Sequence, residues 1–245
     1  MYKFSTPFQK RKRDIKVPKT FTLIALCIIA FVPTANAQNK TPKKKAESGA
    51  PQTVKKSNQR PAPVKSPLSE PFDKATVETM AAQCVQFDTE AGVIELEMFP
   101  ESAPETVRSF LNLAATRAFD TTTFSRIVPG FIVQGGNLGT HEKFNAELAA
   151  RANRPVPDEP NLIKHERGII SMARSDAPNS ATTNFFILVG AAPHLDKTFA
   201  AFGRVIRGME VVDAINKMPV EAEKPTKPVR IKRATVAACQ AQPKP

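Results

Sequence analysis

From residue 84 onward, apolar and polar positions alternate with a period of two. Val85, Phe87 and Thr89 are interleaved with Gln86 and Asp88, Ala91-Gly92 marks a turn, and Ile94, Leu96 and Met98 alternate with Glu95 and Glu97. This pattern predicts a β-hairpin with one solvated face. The period changes after Phe99. Ser102 reads as an N-cap, Pro104 falls in the first turn and Glu105 completes an S-x-x-E capping box. Val107, Phe110, Leu111 and Ala114 then recur at i, i+3, i+4 and i+7, the apolar stripe of a helix. Short β-rich segments follow at 121–128, 131–134, 168–173, 185–189 and 202–205, with a second short helix at 209–217 and a closing strand at 229–238. Many short strands with two α-helices predict a mainly β domain, a barrel or sandwich capped by helices.

The first 37 residues follow a different logic. A basic stretch at 3–19 precedes an apolar run at 21–32 whose only polar residue is Thr22, and Pro33 and Ala35-Asn36-Ala37 end it. Basic, apolar, then small is the order of a secretory signal peptide, and the apolar run is well short of the ~20 residues a membrane-spanning helix needs. Arg11 and Arg13 are separated by Lys12, so there is no twin-arginine pair, and Cys27 follows Leu26 rather than a small residue. The expected mature chain starts at Gln38.

The net charge of +12 is concentrated outside the β-rich part. Residues 1–37 and 38–72 each carry six more bases than acids, and the remaining 173 residues balance at twenty of each. A neutral fold argues against a basic nucleic-acid-binding face, and no nucleic-acid partner is expected. Residues 38–72 are rich in Lys, Pro, Ser and Gln, with six prolines and few large apolar side chains. Such a composition cannot offset its ordering entropy, so a disordered linker is expected, either a solvated spacer or an arm for anionic envelope surfaces. The division is thus 1–37 signal peptide, 38–72 basic linker and 73–245 folded domain.

Familiar catalytic signatures are missing from the folded part. His141-Glu142 opens like a zincin helix, but Asn145 stands where the second histidine belongs. No cysteine pair has zinc spacing, no serine is framed as G-x-S-x-G, and no P-loop is present. Gly135-Gly136 with Gly139 does not match G-x-G-x-x-G. Neither metal nor cofactor is expected.

The densest signal is an arginine among hydrophobes, Phe124-Ser125-Arg126-Ile127-Val128-Pro129-Gly130-Phe131-Ile132-Val133-Gln134-Gly135-Gly136-Asn137. This segment resembles the cyclophilin family of peptidyl-prolyl cis–trans isomerases. Two further blocks agree and come in the family's order. They are Ser171-Met172-Ala173-Arg174 running to Asn184-Phe185-Phe186-Ile187, and Leu195-Asp196 followed by Phe202-Gly203-Arg204-Val205 and Gly208-Met209-Glu210-Val211-Val212. The resemblance covers about 155 residues, from Val85 to Cys239. It implies a closed antiparallel eight-stranded barrel capped by two helices, and with the export signal it fits the periplasmic, bacterial-type branch.

Spacing alone would make Arg126 a strand arginine in a salt bridge, and Phe131, Ile132, Phe186 and Leu195 ordinary core residues. The resemblance implies more. Arg126 matches the catalytic arginine, and those four residues line the proline cup. Gln134 matches the glutamine that hydrogen-bonds the substrate backbone, and Ala173 and Arg174 match the stretch whose main chain aligns the peptide as an added strand. Four positions depart from the family pattern: Ser125 replaces the histidine of F-H-R, Asn184 stands for a longer glutamine, His194 for a tryptophan, and Phe199 for an imidazole or phenol donor. His194 removes a main anchor for cyclosporin, so weak cyclosporin binding is expected. Phe199 makes its wall of the pocket apolar.

In the barrel that the resemblance implies, the first and last strands are neighbours, and they carry Cys84 and Cys239. An exported pair so placed is expected to bridge, with two separate buried thiols as the alternative. The function implied is acceleration of X–Pro rotation in proline-containing unfolded or extended polypeptides during the folding of exported proteins. A catalytically weak peptide-binding module or holdase, and an envelope scaffold led by the basic arm, are the alternatives.

Overall fold

The computed structural model describes residues 69–239; the expectations for the signal peptide and for most of the linker lie outside the described residues. Ten strands and four α-helices are present among the described residues. Strands β1 (Gln83–Thr89) and β2 (Gly92–Met98) form the expected hairpin, followed by α2 (Pro104–Ala115), β3 (Arg126–Val128), β4 (Ile132–Gly135), β5 (Ile169–Met172), β6 (Phe185–Leu188), β7 (Ala201–Arg207), α4 (Met209–Asn216) and β10 (Ile231–Ala238). Eight of the strands build one antiparallel sheet in the order β10-β1-β2-β7-β5-β6-β4-β3. Helices α1 (Val77–Ala81) and α3 (Ala146–Ala152) and a small hairpin of β8 (Val220–Glu221) and β9 (Lys224–Pro225) complete the fold.

Two expectations need correction. The described residues form four α-helices rather than two, because α1 and α3 are too short to show a periodic apolar stripe. The sheet is curled but not a closed ladder. Its end strands β3 and β10 do not pair, and the chain leading into each meets the other at a single bridge, Thr123↔Arg230. Flanking backbone bonds, Thr121 N–H to the Ile231 carbonyl at 2.7 Å and Phe124 N–H to the Val229 carbonyl at 2.9 Å, narrow that seam.

The core lies inside the curl. Phe87, Phe110, Phe119, Phe124, Phe185 and Phe202 are fully buried and meet mostly edge to face, with Phe110 and Phe202 centroids 4.9 Å apart. The predicted α2 stripe supplies Val107, Phe110, Leu111 and Ala114, all buried. The cap of α2 is not the one expected. Ala103 is the N-cap residue and makes no side-chain cap bond. Glu159, from the loop after α3, accepts from the N–H groups of Glu105 and Thr106 at 2.9 and 2.8 Å. A carboxylate at this end complements the helix dipole as a local cap would.

The fold begins ahead of the expected boundary at 73. Glu70 pairs with Arg151 and Arg154 at 3.0 and 2.9 Å, and the Phe72 N–H donates to Asn112 Oδ1 at 2.7 Å. Cys84 on β1 and Cys239 just past β10 are joined by the expected disulfide, with a Cα–Cα distance of 4.8 Å. The Cys239 N–H donates to the Ala82 carbonyl at 3.0 Å, extending the β1–β10 pairing to the bridge.

Candidate functional site

Strand alternation builds the site. In β4 and β6, Val133, Phe185 and Ile187 point to the main core, while Ile132, Phe186 and Leu188 belong to a second apolar cluster on the other face of the sheet. The register sets Ile132 opposite Leu188 and Gln134 opposite Phe186, and across the other edge of β4 it sets Arg126 opposite Gln134. Arg126, Gln134, Ile132 and Phe186 therefore share one face. Gly136 lets the end of β4 approach the chain before β6. At φ +83 it occupies a conformation few other residues adopt, and a Cβ there would lie 2.2 Å from the Thr183 carbonyl oxygen.

These residues border a cavity of about 310 Å³ lined by Arg126, Phe131, Ile132, Gln134, Ala173, Arg174, Phe186, Leu195 and Phe199. The apolar members form a cup and the two arginines stand at its edges. The structure does not bring all the expected residues to it. Asn184 and His194 are absent from the lining. Asn184 is half-buried, and its carbonyl accepts from the Ala173 N–H at 3.0 Å. That amide is thus engaged and not free to pair with a peptide. His194 is exposed, its ring 5.6 Å from that of Phe131, so it supports the cup from outside.

Both guanidiniums are held. Arg126 donates from Nε to Glu223 Oε2 at 2.7 Å and from Nη1 to Gln134 Oε1 at 3.2 Å. The salt-bridge arginine that spacing suggested and the groove arginine are therefore one residue. Arg174 donates to the carbonyls of Ser175 and Thr198 at 3.0 and 3.2 Å, and its guanidinium carbon lies 5.0 Å from the Phe199 ring centroid. This cation–π contact makes the Phe199 wall less apolar than the sequence suggested.

Behind the Leu195 wall lies a hydrogen-bonded chain that no motif announced. His165 is buried, with Nδ1 3.3 Å from Asp196 Oδ1 and Nε2 3.1 Å from Ser171 Oγ. The composition is that of a Ser-His-Asp triad, but Ser171 is fully buried and its hydroxyl donates to the Ala200 carbonyl at 2.8 Å, not to the imidazole. No substrate reaches it. The cluster instead ties the turn Pro193–Leu195 to β5, and Leu195 and Ala173 both line the cavity. Asp196 also accepts from the His165 N–H at 2.8 Å and from Lys164 Nζ at 2.9 Å. Those two donors hold its carboxyl down to about 2, while burial lowers the His165 imidazole below its ordinary value. Sequence reading missed this set because the three residues are scattered and only the fold joins them.

Among the described residues, no group of three or more His, Cys, Asp or Glu side chains is placed to hold a metal ion. The site offers an apolar cup, a fixed cation at its rim and an amide beside it. Such a site can bind a small apolar ring and stabilise electron density that appears next to the ring; it has no nucleophile or base to cleave a bond.

Comparison with known proteins agrees with this chemistry. Residues 84–236 match the family model described as cyclophilin type peptidyl-prolyl cis-trans isomerase/CLD. The chain is 37% identical over 163 residues to peptidyl-prolyl cis-trans isomerase A of Dickeya dadantii, an alignment covering 62% of this chain and 83% of the relative. It is 36% identical over 141 residues to peptidyl-prolyl cis-trans isomerase CYP23 of Arabidopsis thaliana, covering 57% of this chain and 62% of that one. Among solved structures, it is similar to a Cryptosporidium parvum cyclophilin type peptidyl-prolyl cis-trans isomerase crystallised in the presence of the dipeptide Ala-Pro. That likeness has a TM-score of 0.57 and 29% identity, and covers 64% of this chain and 99% of that chain.

Proposed function

The chain belongs to the cyclophilin-type peptidyl-prolyl cis–trans isomerase family and is an isomerase of X–Pro peptide bonds, and from that premise we propose that Arg126 carries the catalysis and that the substrates are exported polypeptides. Rotation about the X–Pro bond is opposed by ~18–20 kcal/mol of amide resonance. At the top of the barrier the amide is twisted, and the proline nitrogen is pyramidal with a localised lone pair. A donor aimed at that nitrogen stabilises the twisted state and neither planar one, which is what acceleration requires.

Arg126 suits this task because a guanidinium stays charged and its donors are fixed in a plane. Its side chain is 45% exposed in the free protein, so water screens it. A proline ring seated on Phe131, Ile132 and Phe186 displaces that water and strengthens the interaction as the substrate binds. Gln134 orients Arg126 through Oε1, leaving its Nε2 to donate to a substrate carbonyl. The observation that carries the proposal is the placement of Arg126 and the apolar cup on one face of the sheet. An X–Pro peptide exchange assay on the chain and its Arg126→Ala variant tests it. Loss of turnover with retained peptide binding supports it, and unchanged turnover rejects it.

The proposed compartment is the periplasm. The order of basic, apolar and small residues at 3–37 supports export, and the Cys84–Cys239 bridge suits an oxidising compartment. The Cryptosporidium structure obtained with Ala-Pro supports proline-containing peptides as ligands. The test is the N-terminal sequence of the protein recovered from a periplasmic extract. It should begin at Gln38, and an uncleaved Met1 in a cytoplasmic fraction would overturn the assignment.

A further inference from the structure

We infer that Glu223, on the β8–β9 hairpin, is a positioning residue that aims Arg126 into the groove; the inference rests on the catalytic role proposed for Arg126. Arginine is long and loses much rotamer freedom when fixed, so a guanidinium aimed at one atom needs restraint. Gln134 restrains one side through Nη1. Glu223 restrains the other through Nε, and at 2.7 Å its contact is the shorter of the two.

The hairpin is built for that contact. Val220 pairs with Pro225 and Glu221 with Lys224, so Ala222 and Glu223 alone make the turn, at φ +47 and +66. Both central residues are left-handed, the geometry of a tight hairpin that usually recruits Gly or Asn. Neither is used here. The Glu223 carbonyl accepts from the Ile127 N–H at 2.8 Å, so the turn is fastened to β3 one residue from Arg126. A strained backbone pinned at this point delivers the carboxylate to Nε from a fixed base.

Stability does not account for the pair. Its side chains are 45% and 48% exposed, and ion pairs so exposed contribute little to folding. Charge argues the other way, since a carboxylate beside Arg126 weakens the field the guanidinium presents to the proline nitrogen. A residue there to tune charge and one there to hold geometry thus predict opposite effects of substitution.

The experiment compares Glu223→Ala and Glu223→Gln by exchange kinetics on an X–Pro peptide, with peptide affinity and thermal midpoint measured in parallel. We expect kcat to fall about tenfold in Glu223→Ala with KM within about twofold of the parent. Glu223→Gln should recover most of the loss, because its amide oxygen still accepts from Nε. In the unsubstituted chain the Arg126 Nε–H resonance should be shifted downfield and slow to exchange. That shift should persist in Glu223→Gln and vanish in Glu223→Ala. Parent kinetics in Glu223→Ala, higher rates in both variants, or equal losses in both would overturn the inference. If Glu223→Ala does not fold, an Arg126 Nε–H in the unsubstituted chain exchanging as fast as a free guanidinium overturns it on its own. Full activity in Arg126→Ala would instead remove the functional reading beneath it.

Discussion

Gln134 stands directly opposite Arg126 in the β3–β4 ladder, and its Oε1 accepts a hydrogen bond from Nη1. Under the proposed mechanism, one side chain serves both the catalytic cation and the substrate. Replacing it separates the two duties. Gln134→Glu keeps an acceptor for Nη1 but loses the donor for a substrate carbonyl, so KM should rise with kcat within a few-fold of the parent. Gln134→Ala loses both, and kcat/KM should fall about 10- to 100-fold. Steady-state exchange rates over a range of peptide concentration make the distinction.

His194 lies outside the cup, exposed against the Phe131 ring. The resemblance that identified the groove places the family's cyclosporin-anchoring tryptophan there, so this chain should bind the drug weakly. His194→Trp should tighten binding at least tenfold while X–Pro exchange changes little. Calorimetric titration of both proteins checks this, and low-nanomolar affinity in the parent would contradict it.

Much of this site was legible in sequence, but only through the three motif blocks. Spacing alone left Ile132 and Phe186 as ordinary core residues and Arg126 as a salt-bridge arginine, because alternation assigns faces only within one strand. The resemblance brought them together as one site, and the β3–β4–β6 register puts them on one face. What stayed hidden depends on contacts distant in sequence. The α2 cap comes from Glu159, some fifty residues beyond the helix it caps, so Ser102 looked like the local solution. The Glu223 turn lacks the Gly or Asn that announces such hairpins. The His165, Asp196 and Ser171 chain exists only after three segments have folded together. The closed barrel was expected from the resemblance; in the fold, the segment before β3 meets the chain at the start of β10 through one bridge and its flanking backbone bonds, and β3 and β10 themselves do not pair.

The disulfide closes a loop with a sequence separation of 155 residues. In the chain-entropy treatment a loop of that size is worth up to about 5 kcal/mol, taken from the unfolded state. The double variant Cys84→Ala/Cys239→Ala should fold, since the β1–β10 ladder and the Cys239 N–H bond do not need sulfur. It should be several kcal/mol less stable in urea titration. A parent whose midpoint is indifferent to reductant would contradict the prediction.

Acid should destabilise the domain in two stages. Burial lowers the His165 pKa in the folded state, so its neutral form is favoured there, while the unfolded chain takes up its proton near about 6.5. That contribution is complete above the unfolded value and is lost as pH falls below it. Asp196, held at about 2 chiefly by the His165 N–H and by Lys164, contributes fully above the ordinary carboxylate value and loses its contribution as pH falls toward 2. Urea midpoints should therefore decline from pH 7 to 5 and again below about pH 4. A flat profile from pH 7 to 5 would show that His165 does not stay neutral in the fold.

The most direct test of the account is exchange NMR on a short X–Pro peptide with the parent chain, Arg126→Ala and Arg126→Lys. It reads cis–trans interconversion without a coupling protease and reports peptide binding in the same spectra. The parent should accelerate exchange, and Arg126→Ala should lose at least about a hundredfold of that acceleration while binding persists. Arg126→Lys should recover only part, because a point charge lacks the guanidinium's fixed plane. Parent-like acceleration by Arg126→Ala would rule out catalysis by Arg126 and move it elsewhere in the groove.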